Sequence, residues 1–278
     1  MRPAALVALA LCAACSEPTA APSDAAVVVD AAVADLAVDP NGPLGFVTLG
    51  AAPSSSTANA TFLASGSAFL CSQSTDGNCT FYDCHRRPPP DGGQPAVQPN
   101  PGTIDVTGAS KPVHFVPAVD GYYDTVHVAG ALFGGSELLH VVAAGGTVPA
   151  FAGDVRAPAP AGITAPTLPA GDWKVDRSAS IAFTWTGLTE PDREDLLVTF
   201  GADSVDPVEV ECVFPGATGS GIVSAASLAH LPAGAGYFEV KSRRDTLLRA
   251  GSWQVTFRAD DAAISTSGKA FTGSAVFQ

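Results

Sequence analysis

Three stretches in the C-terminal half alternate large apolar residues with small or polar residues, and this pattern limits the chain to β-structure. The apolar positions are Ile181, Phe183 and Trp185 in the first stretch, Val208, Val210, Cys212 and Phe214 in the second, and Trp253, Val255 and Phe257 in the third. Successive side chains of a strand point to opposite faces, so a period of two predicts a strand with one buried face. We expect all three stretches to be strands that cover a hydrophobic core.

Shorter strand candidates occupy the N-terminal half, where glycine and proline interrupt the apolar runs about every ten residues. The candidates cover residues 103–107, 113–116, 122–128 and 137–143, and a closing strand is predicted for residues 269–277. One short helix is predicted for residues 224–231, with Ser224 as its cap. The expected fold class is all-β, with two β-sandwich units that are immunoglobulin-like or jelly-roll-like, or with one large sandwich.

The first fifteen residues have the layout of a secretory signal peptide. Arg2 supplies a positive charge, residues 4–14 form an apolar run too short to span a bilayer, and the small Ala13 and Ala14 precede Cys15. Residues 16–43 are rich in Ala, Asp and Pro and contain no aromatic or basic residue, so they are predicted to be a disordered tether. As a coil, this tether would hold a folded body about 30 Å from its N-terminal end.

The folded part is expected to begin at Leu44 and to consist of two parts. A first β-sandwich domain is predicted for residues 44–157, with a Pro/Gly-rich loop at 86–102. A junction with four prolines follows at residues 158–172, and a second β-sandwich domain is predicted for residues 173–278.

Four cysteines lie beyond the signal region: Cys71, Cys79, Cys84 and Cys212. In an oxidising compartment, an even set predicts two disulfides, for which three connectivities are possible. In each of them Cys212 pairs with a cysteine of the 71–84 cluster, so the two halves are predicted to be covalently linked. The cluster itself is predicted to lie on a β-hairpin with Asp76-Gly77 at its turn. A zinc site built from Cys71, Cys79 and Cys84 with either His85 or Cys212 is the alternative, but the spacings contain no Cys-x-x-Cys pair.

The sequence contains no nucleophile elbow, His-Glu-x-x-His motif, Walker loop or EF-hand loop. We therefore expect a protein that is not an enzyme, and we predict no cofactor. His114, His127 and His140 fall in successive strand candidates and are weak candidates for a copper or zinc site if their strands are neighbours. Histidines on polar strand faces are the simpler interpretation. The acidic residues 189–195 and the pair Asp260-Asp261 are interpreted as solvated loop charge.

Charge excludes one class of partner. Loss of Arg2 with the signal peptide leaves 13 basic against 27 acidic residues, a net charge of −14. Such a field repels the phosphates of nucleic acids, so no nucleic-acid partner is expected.

The residues around Cys15 resemble the lipobox of bacterial lipoproteins, in which the signal peptide is cut before the cysteine and the cysteine is then acylated. The chain as a whole resembles lipoproteins of GC-rich proteobacteria that have no assigned activity. The segments that carry this resemblance are LCAACS, DAAVADLAVDP, GNCTFYDC and GGTVPAFAGDVRAP. The resemblance implies a lipid anchor at Cys15 and, because Ser16 follows, sorting to the outer membrane on its periplasmic or cell-surface side.

The sequence thus favours a cell-envelope lipoprotein with a structural or binding role, whose partner is an envelope protein or a glycan. A secreted hydrolase or a copper- or zinc-binding β-sandwich protein is the alternative. A binding module predicts an exposed apolar or aromatic patch, which we place around Tyr122 and Tyr123. A hydrolase predicts a cleft in which a serine, a histidine and a carboxylate converge.

Overall fold

A computed structural model describes residues 42–64, 69–86, 97–188, 194–204 and 206–278. The predicted signal peptide with Cys15, and the tether as far as residue 41, lie outside this range. So do residues 87–96 of the predicted loop and residues 189–193 of the acidic segment. The described residues belong to one compact unit.

The described residues form strands almost throughout. The first nine strands are β1 (Leu44–Ala51), β2 (Ser55–Leu63), β3 (Phe69–Asp76), β4 (Cys79–Arg86), β5 (Ile104–Thr107), β6 (Val113–Phe115), β7 (Val126–Ala129), β8 (Leu138–Ala143) and β9 (Phe151–Arg156). The next five are β10 (Gly162–Ala165), β11 (Trp173–Val175), β12 (Ile181–Thr186), β13 (Asp195–Ala202) and β14 (Val208–Pro215). After β15 (Ser220–Val223) and helix α1 (Ala225–Leu228) come β16 (Gly234–Ala250), β17 (Trp253–Ala262), β18 (Ile264–Ser265) and β19 (Thr272–Phe277).

These strands form three sheets. An eleven-stranded sheet follows the order β3-β4-β14-β13-β16-β17-β1-β2-β7, with β19 also paired to β16 and β11 paired to β19. A second sheet has the order β15-β12-β10-β18 and a third has the order β6-β5-β8-β9.

The large sheet contributes to two hydrophobic cores. One core lies between the β1, β2 and β17 region and the third sheet, and it includes Leu49, Phe257 and Ile104. The other lies between the β13, β14 and β16 region and the second sheet, and it includes Phe200 and Phe183. Strand β16 has 17 residues and extends along both cores. The prediction of an all-β, sandwich-like fold is confirmed.

Strands from the two predicted halves pair directly. Strand β1 runs parallel to β17, from Leu44 opposite Gln254 to Ala51 opposite Asp261. Strand β4 pairs with β14 in the antiparallel direction. The predicted junction at 158–172 contains β10, which is a member of the second sheet. The two stretches 44–157 and 173–278 therefore share one sheet.

The strands predicted from alternation lie where expected, at β12, β14 and β17. The predicted helix is shorter than residues 224–231, because α1 ends at Leu228, but Ser224 does cap it through a bond from the Ser227 amide. The strand predicted for 122–128 begins only at Val126, since the preceding segment forms a turn in which the Ala118 amide bonds to the Tyr122 carbonyl. Within the described ranges, no helix has the length and apolar character needed to cross a membrane.

Glycines inside strands are covered by aromatic rings. The ring of Phe62 lies over its cross-strand partner Gly45, and a Cβ added there would meet the ring at 2.6 Å. Tyr237 covers Gly201 in the same way, at 2.4 Å. In each pair the ring covers strand backbone that the glycine, which has no side chain, would otherwise leave exposed.

Candidate binding surfaces

The four body cysteines form two disulfides, Cys71–Cys84 across the β3–β4 hairpin and Cys79–Cys212 between β4 and β14. The prediction of two bridges, one of them between the halves, is confirmed, and the pairing selects one of the three connectivities. Cys79 and Cys212 are buried in the second core, whereas Cys71 is exposed. The hairpin turns at Gly77, as predicted.

The three histidines lie on two different sheets. His114 and His140 point to the exposed face of the third sheet, where each pairs with a carboxylate. Nδ1 of His114 lies 2.6 Å from Oδ1 of Asp105, and His140 is hydrogen bonded to Asp154. His127 lies on β7 in the large sheet. In the part of the chain that the structure describes, no three His, Cys, Asp or Glu side chains are grouped to hold a metal ion.

A serine, a carboxylate and a histidine do come together beside a groove of about 620 Å³ between the β3–β4 turn and β15. Asp76 accepts hydrogen bonds from the Ser224 hydroxyl and, at 3.1 Å, from the Ser227 hydroxyl, and these bonds lower the pKa of Asp76. The His230 ring stacks on Phe81, with 4.6 Å between the ring centroids.

These contacts differ from those of a catalytic triad. In a triad the histidine takes the proton of the serine, and the carboxylate orients the histidine. Here the carboxylate of Asp76 accepts directly from both serines, and Ser224 also accepts from the amide of Ser227 at 2.9 Å. The arrangement ties the disulfide hairpin to the N-terminus of α1, which is a structural role.

An exposed apolar patch is present where the sequence predicted one. We define the loop patch as Val97, Val116, Val119 and Tyr122, whose relative exposures are 69%, 61%, 103% and 51%. The two segments that carry it are joined by a hydrogen bond from the amide of Gln98 to the carbonyl of Asp120. Tyr123, by contrast, is partly buried and packs against Phe62 and Phe115 in the first core.

The loop patch is held in one conformation. Gly121, with φ of +85°, lies so close to the Gln98 carbonyl that a Cβ would meet its oxygen at 2.0 Å. The Tyr122 hydroxyl accepts from Nε2 of Gln98 at 3.1 Å. Burial raises the pKa of Tyr123, so its hydroxyl remains protonated and donates to the carbonyl of Gly102. A surface fixed in this way loses little entropy when it binds.

The outer face of the large sheet, which points away from both cores, carries an ion-pair network on β16 and β17. Nζ of Lys241 lies 2.9 Å from Oε2 of Glu239 and 3.4 Å from Oδ2 of Asp260, while Nε of Arg243 lies 3.2 Å from Oδ1 of Asp260. Nη1 of Arg243 also reaches Oε1 of Glu211 at 3.2 Å. Burial acts to lower the pKa of Lys241, but the carboxylates of Asp260 and Glu239 outweigh it and the pKa is raised. Lys241 is therefore a permanent cation.

This network borders a cleft of about 260 Å³ between β1–β2 and β16–β19. Its polar lining combines charged side chains with hydroxyls and an amide, from Thr48, Ser55, Thr57, Asn59, Glu239, Lys241, Asp260 and Thr272. Small residues, including Gly50, Ala52 and Ala262, give the cleft its depth. We refer to it below as the outer cleft.

A second set of polar groups is buried between the two cores on the inner face of the sheet. Nη2 of Arg244 lies 2.9 Å from Oε1 of Glu194, and both residues are buried. Asp261 is 6% exposed, and burial together with the nearby Glu137 carboxylate raises its pKa to about 7. The interpretation of Asp260-Asp261 as solvated loop charge was wrong, because both lie on β17 and both are buried.

A scan of protein-family models and a search of curated proteins found no match to this chain.

Proposed function

We propose that this protein is an exported, lipid-anchored protein of the cell envelope that binds another envelope protein through the loop patch. The observation that carries the binding role is the exposure of four large apolar side chains on two loop segments fixed by hydrogen bonds. Export is supported by the pairing of all four body cysteines in disulfides, since such bonds persist in oxidising compartments. The lipobox-like residues before Cys15 support the anchor, and Ser16 after it supports the outer-membrane location.

The chemistry around the patch indicates what its partner presents. Asp120 and Asp124 are exposed on either side of Tyr122, and the whole chain carries 27 acidic against 14 basic residues. Opposite charges at the rim of an interface speed association and exclude wrong partners. The partner is therefore a protein with an apolar surface bordered by lysine or arginine. Tyr122, which combines a large ring with a polar hydroxyl, is the residue type that dominates such interfaces.

The proposal is tested by site-specific photo-crosslinking of the full chain in the cells that produce it. A photoreactive amino acid is placed at Val119 in the patch or, as a matched control, at Ile222, which is 63% exposed on β15. We expect one discrete adduct from position 119 and none from position 222. Tyr122→Ser should abolish the adduct, and raised salt should weaken it because the rim charges are screened.

Three results would contradict the proposal. They are the absence of an adduct at position 119, equal adduct patterns from positions 119 and 222, and an adduct that Tyr122→Ser leaves unchanged. Identification of the captured protein then tests the chemistry independently, because an acidic rim on its surface would contradict the predicted charge complementarity.

A further inference from the structure

We infer that the outer cleft is a second binding site, separate from the loop patch, which takes a neutral polyhydroxylated ring of the size of one hexopyranose. The inference rests on the presence of both charge signs in the lining, on the donors and acceptors it offers and on the shape of its floor.

The charges in the outer cleft select against ions. Lys241 lies between Glu239 and Asp260, and Asp260 also bonds to Arg243, so groups of both charge signs lie side by side in the cleft. An anion entering the cleft would approach the Glu239 carboxylate, which is 42% exposed. A metal cation would approach the Lys241 ammonium. A neutral ligand meets neither repulsion.

The same groups provide both donors and acceptors for hydroxyl groups. An ammonium has three N–H donors, and within the described residues Glu239 and Asp260 account for two of those of Lys241, which leaves one for a ligand. Oδ1 of Asn59 accepts from the Thr125 hydroxyl at 2.7 Å, so the amide NH2 of Asn59 remains as a donor pair. Carboxylate, amide and ammonium groups close together suit the vicinal hydroxyls of a sugar, each of which is both a donor and an acceptor.

The floor of the outer cleft is formed by a glycine. In the row of residues that crosses the sheet, Gly50 lies opposite Thr57 on one side and opposite Asp260 on the other. A Cβ at Gly50 would lie 3.3 Å from the Thr57 hydroxyl, and its φ is not in the left-handed region, so the strand does not require glycine there. The missing side chain therefore opens space between two polar groups. The volume of about 260 Å³ corresponds to roughly nine water molecules, which is monosaccharide size.

The experiment titrates the purified full chain with the neutral methyl hexopyranosides of glucose, galactose and mannose, followed by calorimetry and saturation-transfer NMR. Phosphate and Ca²⁺ are titrated in parallel. A ligand of about thirteen non-hydrogen atoms should bind with a dissociation constant on the order of millimolar. Gly50→Val fills the floor and should weaken binding about tenfold or more. Gly171→Val is the matched control, because nothing lies within 4 Å of a Cβ at that exposed position, and it should bind like the wild type.

Glu239→Gln keeps the shape of the cleft and removes one carboxylate. It tests the binding site if thermal melting shows that Gly50→Val is not folded. It should weaken hexopyranoside binding several-fold. The inference is overturned if the wild type shows no saturable binding of any neutral hexopyranoside, if phosphate or Ca²⁺ binds more tightly, or if the folded variants bind like the wild type. The loop patch lies outside the cleft, so none of these outcomes depends on the crosslinking result.

Discussion

Asp260 and Asp261 are neighbours on β17 whose side chains face opposite sides of the large sheet, and we predict opposite effects when each is replaced by asparagine. Asp260 is paired with Lys241 and Arg243 on the outer face. Asp261 faces inward, where burial and the Glu137 carboxylate raise its pKa from 3.8 to about 7, while the Ala262 amide acts in the opposite direction.

The sign of the pH effect follows from proton binding. Because the folded state holds the Asp261 proton more tightly than the unfolded state, the free energy of unfolding falls as pH rises from about 4 to about 7. The pKa of Asp261 is higher in the folded state than in the unfolded state by about 3, which corresponds to about 4 kcal/mol of unfolding free energy. This contribution to stability is lost in full above pH 7. Asp261→Asn cannot ionise. It should match the wild type near pH 4 and should exceed its stability by up to about 4 kcal/mol at pH 8.

Asp260→Asn should instead destabilise the protein. Arg243 is 8% exposed, and among the described residues the Glu211 carboxylate would remain as its ion-pair partner, while Lys241 would keep Glu239. Breaking one member of a buried ion-pair network leaves a poorly compensated charge, which costs about 3 kcal/mol.

The assay is equilibrium unfolding in urea at a series of pH values from 4 to 8.5, under oxidising conditions that keep both disulfides closed. The comparison of each variant with the wild type at the same pH cancels the titration of all other groups. Glu137→Gln is the matched second variant, since it removes the repulsion between the Glu137 and Asp261 carboxylates and leaves Asp261 in place. At pH 8 it should therefore show part of the stability increase expected of Asp261→Asn. The reasoning is refuted if Asp261→Asn is less stable than the wild type at pH 8, or if its difference from the wild type is the same at every pH.

Three further predictions concern covalent structure. Loss of the Cys79–Cys212 bridge, which closes a separation of 133 residues, should cost about 5 kcal/mol of unfolding free energy, whereas loss of Cys71–Cys84, which closes only 13, should cost about 3 kcal/mol. Both are measured by urea unfolding of double alanine variants, and equal losses would contradict the loop-length argument. Because Cys71 is exposed, a mild reductant should open Cys71–Cys84 first, as peptide mapping after alkylation will show. Replacement of Cys15 by serine should abolish fatty acylation, and unchanged acylation in an intact-mass spectrum would contradict the lipid anchor.

The strands that alternation revealed are those with one face toward solvent and one face toward a core. Strand β13 was not predicted, because it lies between β14 and β16 and is buried from Leu196 to Ala202 on both faces. A strand of this kind has no polar side to mark its period. The central strand β16 was missed for the opposite reason. Its segment KSRRD reads as solvated charge, yet Arg243 and Arg244 are both buried against carboxylates from distant parts of the chain.

The two surfaces differed in how far local sequence could reveal them. The loop patch was predictable around Tyr122 because three of its four members lie within residues 116–122, in one polar, turn-rich segment. The outer cleft was not, since Gly50 and Thr57 lie about 180 or more residues before Glu239, Lys241 and Asp260. The parallel pairing of β1 with β17 brings these groups together. Parallel neighbours are joined by long connections rather than by a turn, so no short-range signal marks the pairing. In this chain the position of β1 in the large sheet therefore creates the cleft, and the local residue pattern could not show it.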